Sequence, residues 1–485
     1  MKPSIYQEKI YKEVVETNNN IVVQATAGAG KTTTILNCLG LIPKFKRAIF
    51  LSFSNAIVKE LKERVPQGIQ ACTLHSLGFR FLISHYGDPV KKVEEDKFFR
   101  KCLITFYSDK KEKTKEDFKN CFRVQDICSF IRMSMCKNEY EVVREMCDYY
   151  NIDYTETLIK QAIQLIEQKE DFKYGIDFVD MLYLPVKNNL INQKFDIIFL
   201  DEAQDLNECQ FQFLLQLRSQ REGRLVSVGD REQSVYGFMG STVEVFDKLQ
   251  RLPNTTYLTL PVSYRCGKRI VDRATSVSNF IKPFENNHEG LVRDGSWEEI
   301  SEGDMIVSRT TRPLISLFFR LLESNKKSVI VGKDVEKGLL NIAKRIESPS
   351  YEGVLYNLQQ EEHKVREELI VLGVKNITTH QRFIDWEEKK EVLKLILKQC
   401  QSPSQLTEKI KTIFHNEKAP IKLMTIHKSK GLENERVFMI MKYNKEKQLP
   451  NKHASKDWEK LQENNLEFVA YTRAKKELVF LDLDE

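Results

Sequence analysis

An apolar run, Ile21-Val22-Val23, leads directly into Gln24-Ala25-Thr26-Ala27-Gly28-Ala29-Gly30-Lys31-Thr32. A strand, a glycine-rich turn, a lysine and a hydroxyl residue together suit a nucleoside triphosphate. Backbone N–H groups of the turn can point at phosphate oxygens, and glycines let the backbone come close. Lys31 can reach the β- and γ-phosphates, and the Thr32 hydroxyl can ligate Mg²⁺. A helix starting near Thr32 adds its positive end. The nucleotide-contacting set expected here is Ala25, Gly28, Ala29, Gly30, Lys31, Thr32 and Thr33. The strict pattern opens on glycine, where this chain has Ala25. Taken alone, the segment also fits a glycine turn that binds nothing.

Further along, Phe195-Asp196-Ile197-Ile198-Phe199-Leu200 delivers Asp201 and Glu202 at the end of an apolar run. Ligands collect at that end of strands in open parallel sheets. Asp201 can hold Mg²⁺, and Glu202 can orient and deprotonate a water. The bland alternative is a helix cap. Gln233 follows another apolar run and can sit beside a γ-phosphate. Tyr236 and Phe238 come next, either as base-stacking platforms worth roughly 1–3 kcal/mol per base or as core rings. In the second half, Arg265 and Arg473 can each take up transition-state charge on a phosphoryl group, or each can be a surface ion pair. Thr425 and His427 follow the run 421–424 and can contact a phosphodiester backbone, and Glu433 can contact a ribose. Phe53, Asn55 and His75 follow earlier strand-like runs and belong to the same ligand edge.

These residues need rigid elements beneath them. Strand-like runs at 21–24, 48–52 and 70–73 alternate with helical patterns from Thr32, at 56–65 and from Ser76. That rhythm predicts right-handed crossovers and a parallel sheet. From 80 to 174 the pattern is helical, and strand-like runs return at 196–200 and 225–228. A second alternating unit starts near Thr256, is interrupted by charged helical residues over 342–417, and resumes at 421–424, 437–440, 466–474 and 478–481. The expected fold class is α/β: two parallel-sheet domains, each interrupted by a mainly helical insertion.

Composition narrows the class. The formal charge is +6, from 75 basic and 69 acidic residues, which permits nucleic-acid binding without requiring it. Ten cysteines occur with no C-x-x-C pair, and five of them fall at irregular spacing between Cys102 and Cys147. That fits reduced, buried thiols better than a zinc or iron–sulfur site. No apolar run approaches the roughly 18 residues that span a bilayer, and the first residues carry no apolar signal core. The expected setting is cytoplasmic, with no membrane partner.

In order and spacing, the segments 25–32, 201–205, 229–236, 423–433 and 469–474 resemble those of the UvrD/Rep-like helicases of superfamily 1, and the likeness extends from Gln7 to Arg473. The Asp177-Phe178 segment also resembles one that precedes the family's acidic pair. The resemblance implies two RecA-like, P-loop domains, over 1–79 with 175–255 and over 256–341 with 418–485, and helical insertions over 80–174 and 342–417. It implies ATP and Mg²⁺ as cofactors, single-stranded or tailed duplex DNA as partner, and 3′→5′ movement. By position, Gln7 would read the adenine, Tyr264 would stack on it, and Gly431 and Glu433 would complete the nucleotide site. Lys31, Glu202, Gln233, Arg265 and Arg473 would form the hydrolytic set, with Thr32 and Asp201 on the metal. Phe53, Asn55, His75, Tyr236, Phe238, Thr425 and His427 would line the DNA track.

Departures stand beside these matches. Phe238 replaces the usual Trp, Met239 an Arg, Ser263 an Asn, and Asn464-Asn465 a pair of arginines. The second insertion is much shorter than in typical members. An ATP-driven DNA helicase or translocase is the expected function. The rival is a nucleic-acid-sensing ATPase subunit that regulates a partner nuclease, for example in phage defence. A replication or repair protein is another expected partner, and action on RNA is a third reading.

Overall fold

The computed structural model describes residues 2–53, 58–59, 64–235, 237, 243–374, 376–415 and 419–484. The helix expected over 56–65 lies largely outside them. The chain forms two compact units, Met1–Thr26 with Gly30–Pro261, and Ala27–Ala29 with Val262–Glu485.

The first unit is built on six strands, β1 (Asn20–Ala25), β2 (Ala48–Ser52), β3 (Gln70–Thr73), β4 (Ile197–Leu200), β5 (Arg224–Gly229) and β6 (Thr255–Leu260). Their order is β3-β2-β4-β5-β1-β6, and every pairing is parallel. Short runs of β-branched and aromatic residues buried on both faces are what such a sheet needs; β1, β2, β4 and β5 are buried throughout. The boundary expected between 255 and 256 is corrected here. Residues 255–260 pair with β1 in the register Asn20↔Thr255 to Ala25↔Leu260, so they close the first sheet rather than open the second unit. The strand's weak alternation hid this, because the strand is an edge with only Leu260 fully buried.

Between β3 and β4 the chain runs through the helices Leu74–Tyr86, Lys97–Tyr107, Lys115–Ser134, Tyr140–Tyr150, Glu156–Glu167 and Asp180–Lys187. The helix Leu74–Tyr86 crosses the boundary expected at 80. Capping decides several starts: the Ser76 N–H donates to the Thr73 hydroxyl, and Thr114 and Asp117 form a capping box. Cys102, Cys121, Cys128 and Cys147 lie in the apolar core of this helical segment, and Cys136 is half-buried.

In the second unit, β7 (Val262–Ser263) and β8 (Lys282–Pro283) pair alone. A seven-stranded sheet joins β9 (Leu291–Asp294), β10 (Met305–Ser308), β11 (Ser328–Val331), β12 (Ile421–Thr425), β13 (Asn434–Tyr443), β14 (Glu446–Lys447) and β15 (Ala474–Leu483). Its order is β11-β12-β10-β13-β15-β9, all parallel, with β14 antiparallel on β13. The helices Lys333–Arg345, Tyr351–Val371, Gln381–Lys398 and Leu406–Phe414 fill the interval before β12. Among the described residues, no helix is long and apolar enough to cross a membrane.

Candidate active site

The loop after β1 owes its shape to two glycines. Gly28 and Gly30 have φ of 70° and 77°, a region where a Cβ is strained. Gly30 caps the helix Lys31–Gly40 without a side chain, so the first-turn N–H groups have no side-chain acceptor there. Lys31 and Thr32 are half-buried at this helix start and Thr33 is exposed. Ala25, the departure from the strict pattern, is the last residue of β1 and pairs with Leu260. It is ordinary strand and accommodates a methyl group. Ala27–Ala29 group with the second unit, where the Tyr264 N–H donates to the Gly28 carbonyl at 2.9 Å.

Gln7 is anchored from two sides. Its Oε1 accepts from the Ser4 N–H at 3.0 Å within a capping box, and its Nε2 donates to the Thr34 Oγ1 at 3.0 Å. Thr34 in turn donates to the Gly30 carbonyl at 2.9 Å. Thr34 carries no motif signal, and its role became visible only in the fold.

At the end of β4 the Asp201 N–H donates to the Leu51 carbonyl, and its Oδ1 accepts from the Glu202 N–H at 2.9 Å. Burial first, and the adjacent Glu202 second, push the Asp201 carboxyl up to about 7, against the pull of Lys31. A buried carboxylate beside another carboxylate is short of positive charge. Together with the Thr32 hydroxyl, it offers the hard oxygen donors that Mg²⁺ shares with nucleotide phosphates. The residues present therefore fit that ion. Among the described residues, no cluster of three or more metal-binding side chains forms, so phosphate oxygens and water would supply the remaining ligands.

Glu202 has φ 54°, uncommon for a residue with a side chain. Such outliers concentrate where a site fixes a group's direction. The Glu202 Oε2 accepts from the Gln204 Nε2 at 2.5 Å. Past β5, the buried Asp230 accepts from the Gln233 Nε2 at 2.5 Å, from the Glu232 N–H at 3.1 Å and from the Gln24 Nε2 at 3.4 Å. Burial raises the Asp230 carboxyl and Lys31 opposes it. Lys31, Asp201, Glu202 and Gln233 thus gather at the carboxyl ends of β1, β4 and β5. Gln24, Gln204 and Asp230 belong to the same cluster, although the motifs gave them no role.

Of the expected DNA-facing residues in this unit, Phe53 leans on the sheet's core. His75 meets Phe178 edge-on, with ring centroids 6.4 Å apart, and burial lowers its pKa. Phe178 itself is 53% exposed, a surface aromatic whose sequence segment stood out without a role for the ring. Asn55, Tyr236 and Phe238 lie outside the described residues.

In the second unit Tyr264 packs on Phe284 at 4.9 Å. Arg265 and Glu433 meet each other, Nε to Oε2 at 2.6 Å, and Lys475 reaches the other Glu433 oxygen at 2.7 Å. Gly431, which precedes Leu432 and Glu433 in the chain, adopts φ 84°. Arg473 is turned inward: its guanidinium donates to the carbonyls of Val469 (2.9 Å) and Leu432 (3.0 Å), and it is fully buried. The surface ion pair left open for it is excluded. Thr425 caps the short helix Ile426–Ser429 by position without a side-chain bond. His427 is held neutral, its pKa lowered to about 3 by burial, then by Arg309, Lys428 and Lys430.

Comparison with known sequences adds a decisive observation: the UvrD/REP helicase N-terminal domain matches residues 6–254, just over half of the chain. The chain belongs to the UvrD/Rep helicase family. Its two parallel sheets are accordingly RecA-like. This UvrD/Rep-family chain is 24% identical over 415 residues to the ATP-dependent DNA helicase PcrA of Bacillus subtilis, covering 79% of this chain and 52% of that one. It is 27% identical over 342 residues to the putative ATP-dependent DNA helicase YjcD of the same organism, covering 61% and 42%. It is 21% identical over 332 residues to DNA helicase II of Escherichia coli, covering 62% and 43%. The chain thus spans about half or less of the length of these relatives.

Proposed function

We propose that this chain is an ATP-driven DNA translocase or helicase of the cytoplasm, moving 3′→5′ on single-stranded or tailed DNA. The observation that carries the reading is the convergence of Lys31, Asp201, Glu202 and Gln233 on one sheet edge in a UvrD/Rep-family chain. In this reading Gln7, Tyr264, Gly431 and Glu433 hold the nucleoside, and Lys31 with the loop amides binds the phosphates. Thr32 and Asp201 would hold Mg²⁺, which would supply positive charge beside the phosphate oxygens. Glu202 orients the attacking water and takes its proton, and Gln233 senses the γ-phosphate. Arg265 and Arg473 exchange their present partners, Glu433 and the carbonyls of Val469 and Leu432, for the transferring phosphoryl group. Phe53, Asn55, His75, Tyr236, Phe238, Thr425 and His427 follow the strand, and the exposed Phe178 joins them as a stacking face.

The test is ATP hydrolysis and strand displacement on 3′-tailed, 5′-tailed and blunt duplexes. Lys31→Ala should abolish DNA-stimulated turnover, and Glu202→Gln should hold ATP without hydrolysing it. Normal turnover in either variant removes the proposal. Displacement of 5′-tailed substrates alone would reverse the polarity. Robust hydrolysis without displacement, with a nuclease co-purifying, would favour a regulatory ATPase subunit.

A further inference from the structure

Glu202 and Gln233 act on the same phosphoryl group in the reading above, yet 30 residues of chain separate them and they sit after different strands, β4 and β5. The side chain of Gln204 spans that gap. It is completely buried. Its Nε2 donates to the Glu202 Oε2 at 2.5 Å, and its Oε1 accepts from the Asp230 N–H at 2.8 Å. Asp230 then accepts from the Gln233 Nε2 through Oδ2, and the Ser234 hydroxyl donates back to the Gln204 carbonyl at 3.4 Å. The two ends of the amide are distinct, one donor and one acceptor, so the chain of bonds has a single direction.

The backbone makes room for this link. A Cβ on Gly229 would lie 2.7 Å from the Gln204 Oε1 and 3.0 Å from the Gln204 nitrogen. The glycine at the end of β5 is therefore set by the close approach of Gln204 and of the Phe246 ring, 2.9 Å away, not by its φ. A buried amide satisfied at both ends fixes one arrangement, because losing either bond leaves a desolvated group unpaired.

We infer that Gln204 is a positioning residue that locks the orientation of Glu202 to that of Gln233 through Asp230. The inference rests on the ATP-hydrolysis reading above. Movement of Gln233 on loss of the γ-phosphate would shift Asp230, and with it the Gln204 amide and the base. Base and sensor would then act as one unit.

The test measures kcat and KM for ATP with the full chain, alongside thermal stability, for Gln204→Met, Gln233→Ala and the double variant. Gln204→Met should lower kcat about a hundredfold while KM for ATP stays within about twofold. The double variant should lose no more than the worse single variant, as residues acting as a unit do. Multiplicative losses would overturn the inference. Asp230→Asn provides a second route that spares the core shape of Gln204. It should show the same loss of kcat with KM retained, and a normal kcat there also overturns it. Glu202→Gln separates the two readings. If it hydrolyses normally, the ATPase assignment itself fails. If it is inactive while Gln204→Met and Asp230→Asn turn over normally, only the link fails.

Discussion

The two helical segments interrupting the sheets are attached in different ways. Of the helices between β3 and β4, those over 97–166 have an apolar core of their own, from Phe98 through Ile127 and Val143 to Ile166. Their tie to the first sheet includes a buried charge cluster. Arg132 grips Asp177 with both terminal nitrogens at 2.7 Å and reaches Asp180 at 2.8 Å. Lys97 adds bonds to Asp180 at 2.6 Å and Glu170 at 3.1 Å. Asp180 opens the helix Asp180–Lys187 and Asp177 precedes it, upstream of β4 and Asp201. In the second unit the helices before β12 have no such separation. Leu358, Trp386, Leu393 and Ile410 share one cluster with Ile306 of β10, Leu423 of β12 and Phe438 of β13. The first insertion is a module pinned by charge, whereas the second is part of its sheet's core. The residues over 342–417 interrupt the second sheet between β11 and β12 and share its core.

Breaking the charged pin should produce the largest effect. Arg132→Ala leaves two buried carboxylates short of their partner, at a cost of about 3–5 kcal/mol. Chemical denaturation should show the loss, with the first unit unfolding earlier. A loss no greater than that of a surface substitution would remove the distinction drawn here.

Cavities should sharpen the contrast. Ile127→Ala and Leu393→Ala should each cost about 2–5 kcal/mol. Hydrogen exchange should separate them: Ile127→Ala should loosen the helices over 97–166 and spare β4, and Leu393→Ala should reduce protection in β10 and β12. Equal spread in both variants would mean that the first segment is no module.

Acid provides a reagent-free version of the first experiment. Burial alone would raise the Asp180 carboxyl, but Arg132 and Lys97 outweigh it and hold it below the ordinary carboxylate range. A lowered carboxyl adds stability that is present above its unfolded pKa and is lost as pH falls through the folded one. Exchange protection of the first insertion should therefore fall below about pH 4, while that of β10 to β13 changes less. At the small end, Lys160→Ala removes an exposed pair with Glu156 one helical turn away, and the melting temperature should not move.

Much of the nucleotide edge was legible in the residues. The glycines at 28 and 30 announce positive φ, and the apolar runs before Ala25, Asp201 and Gln233 are the strands that carry them. The parallel α/β class follows from the same alternation. Residues 255–260 were less legible, because an edge strand shows little burial contrast. The contact of His75 with Phe178 was not legible at all, since it depends on the path of the chain through the first insertion.

The sequence by itself determined the turn, the strands and the residue types that can handle a triphosphate, because backbone conformation and hydrophobic period are set by near neighbours. The fold alone decided that Gln204 reaches Asp230, that Arg265 pairs with Glu433, that Arg473 is buried and that one insertion keeps its own core. Those outcomes depend on which surfaces pack together and on which buried donor finds which acceptor, and spacing along the chain does not encode either.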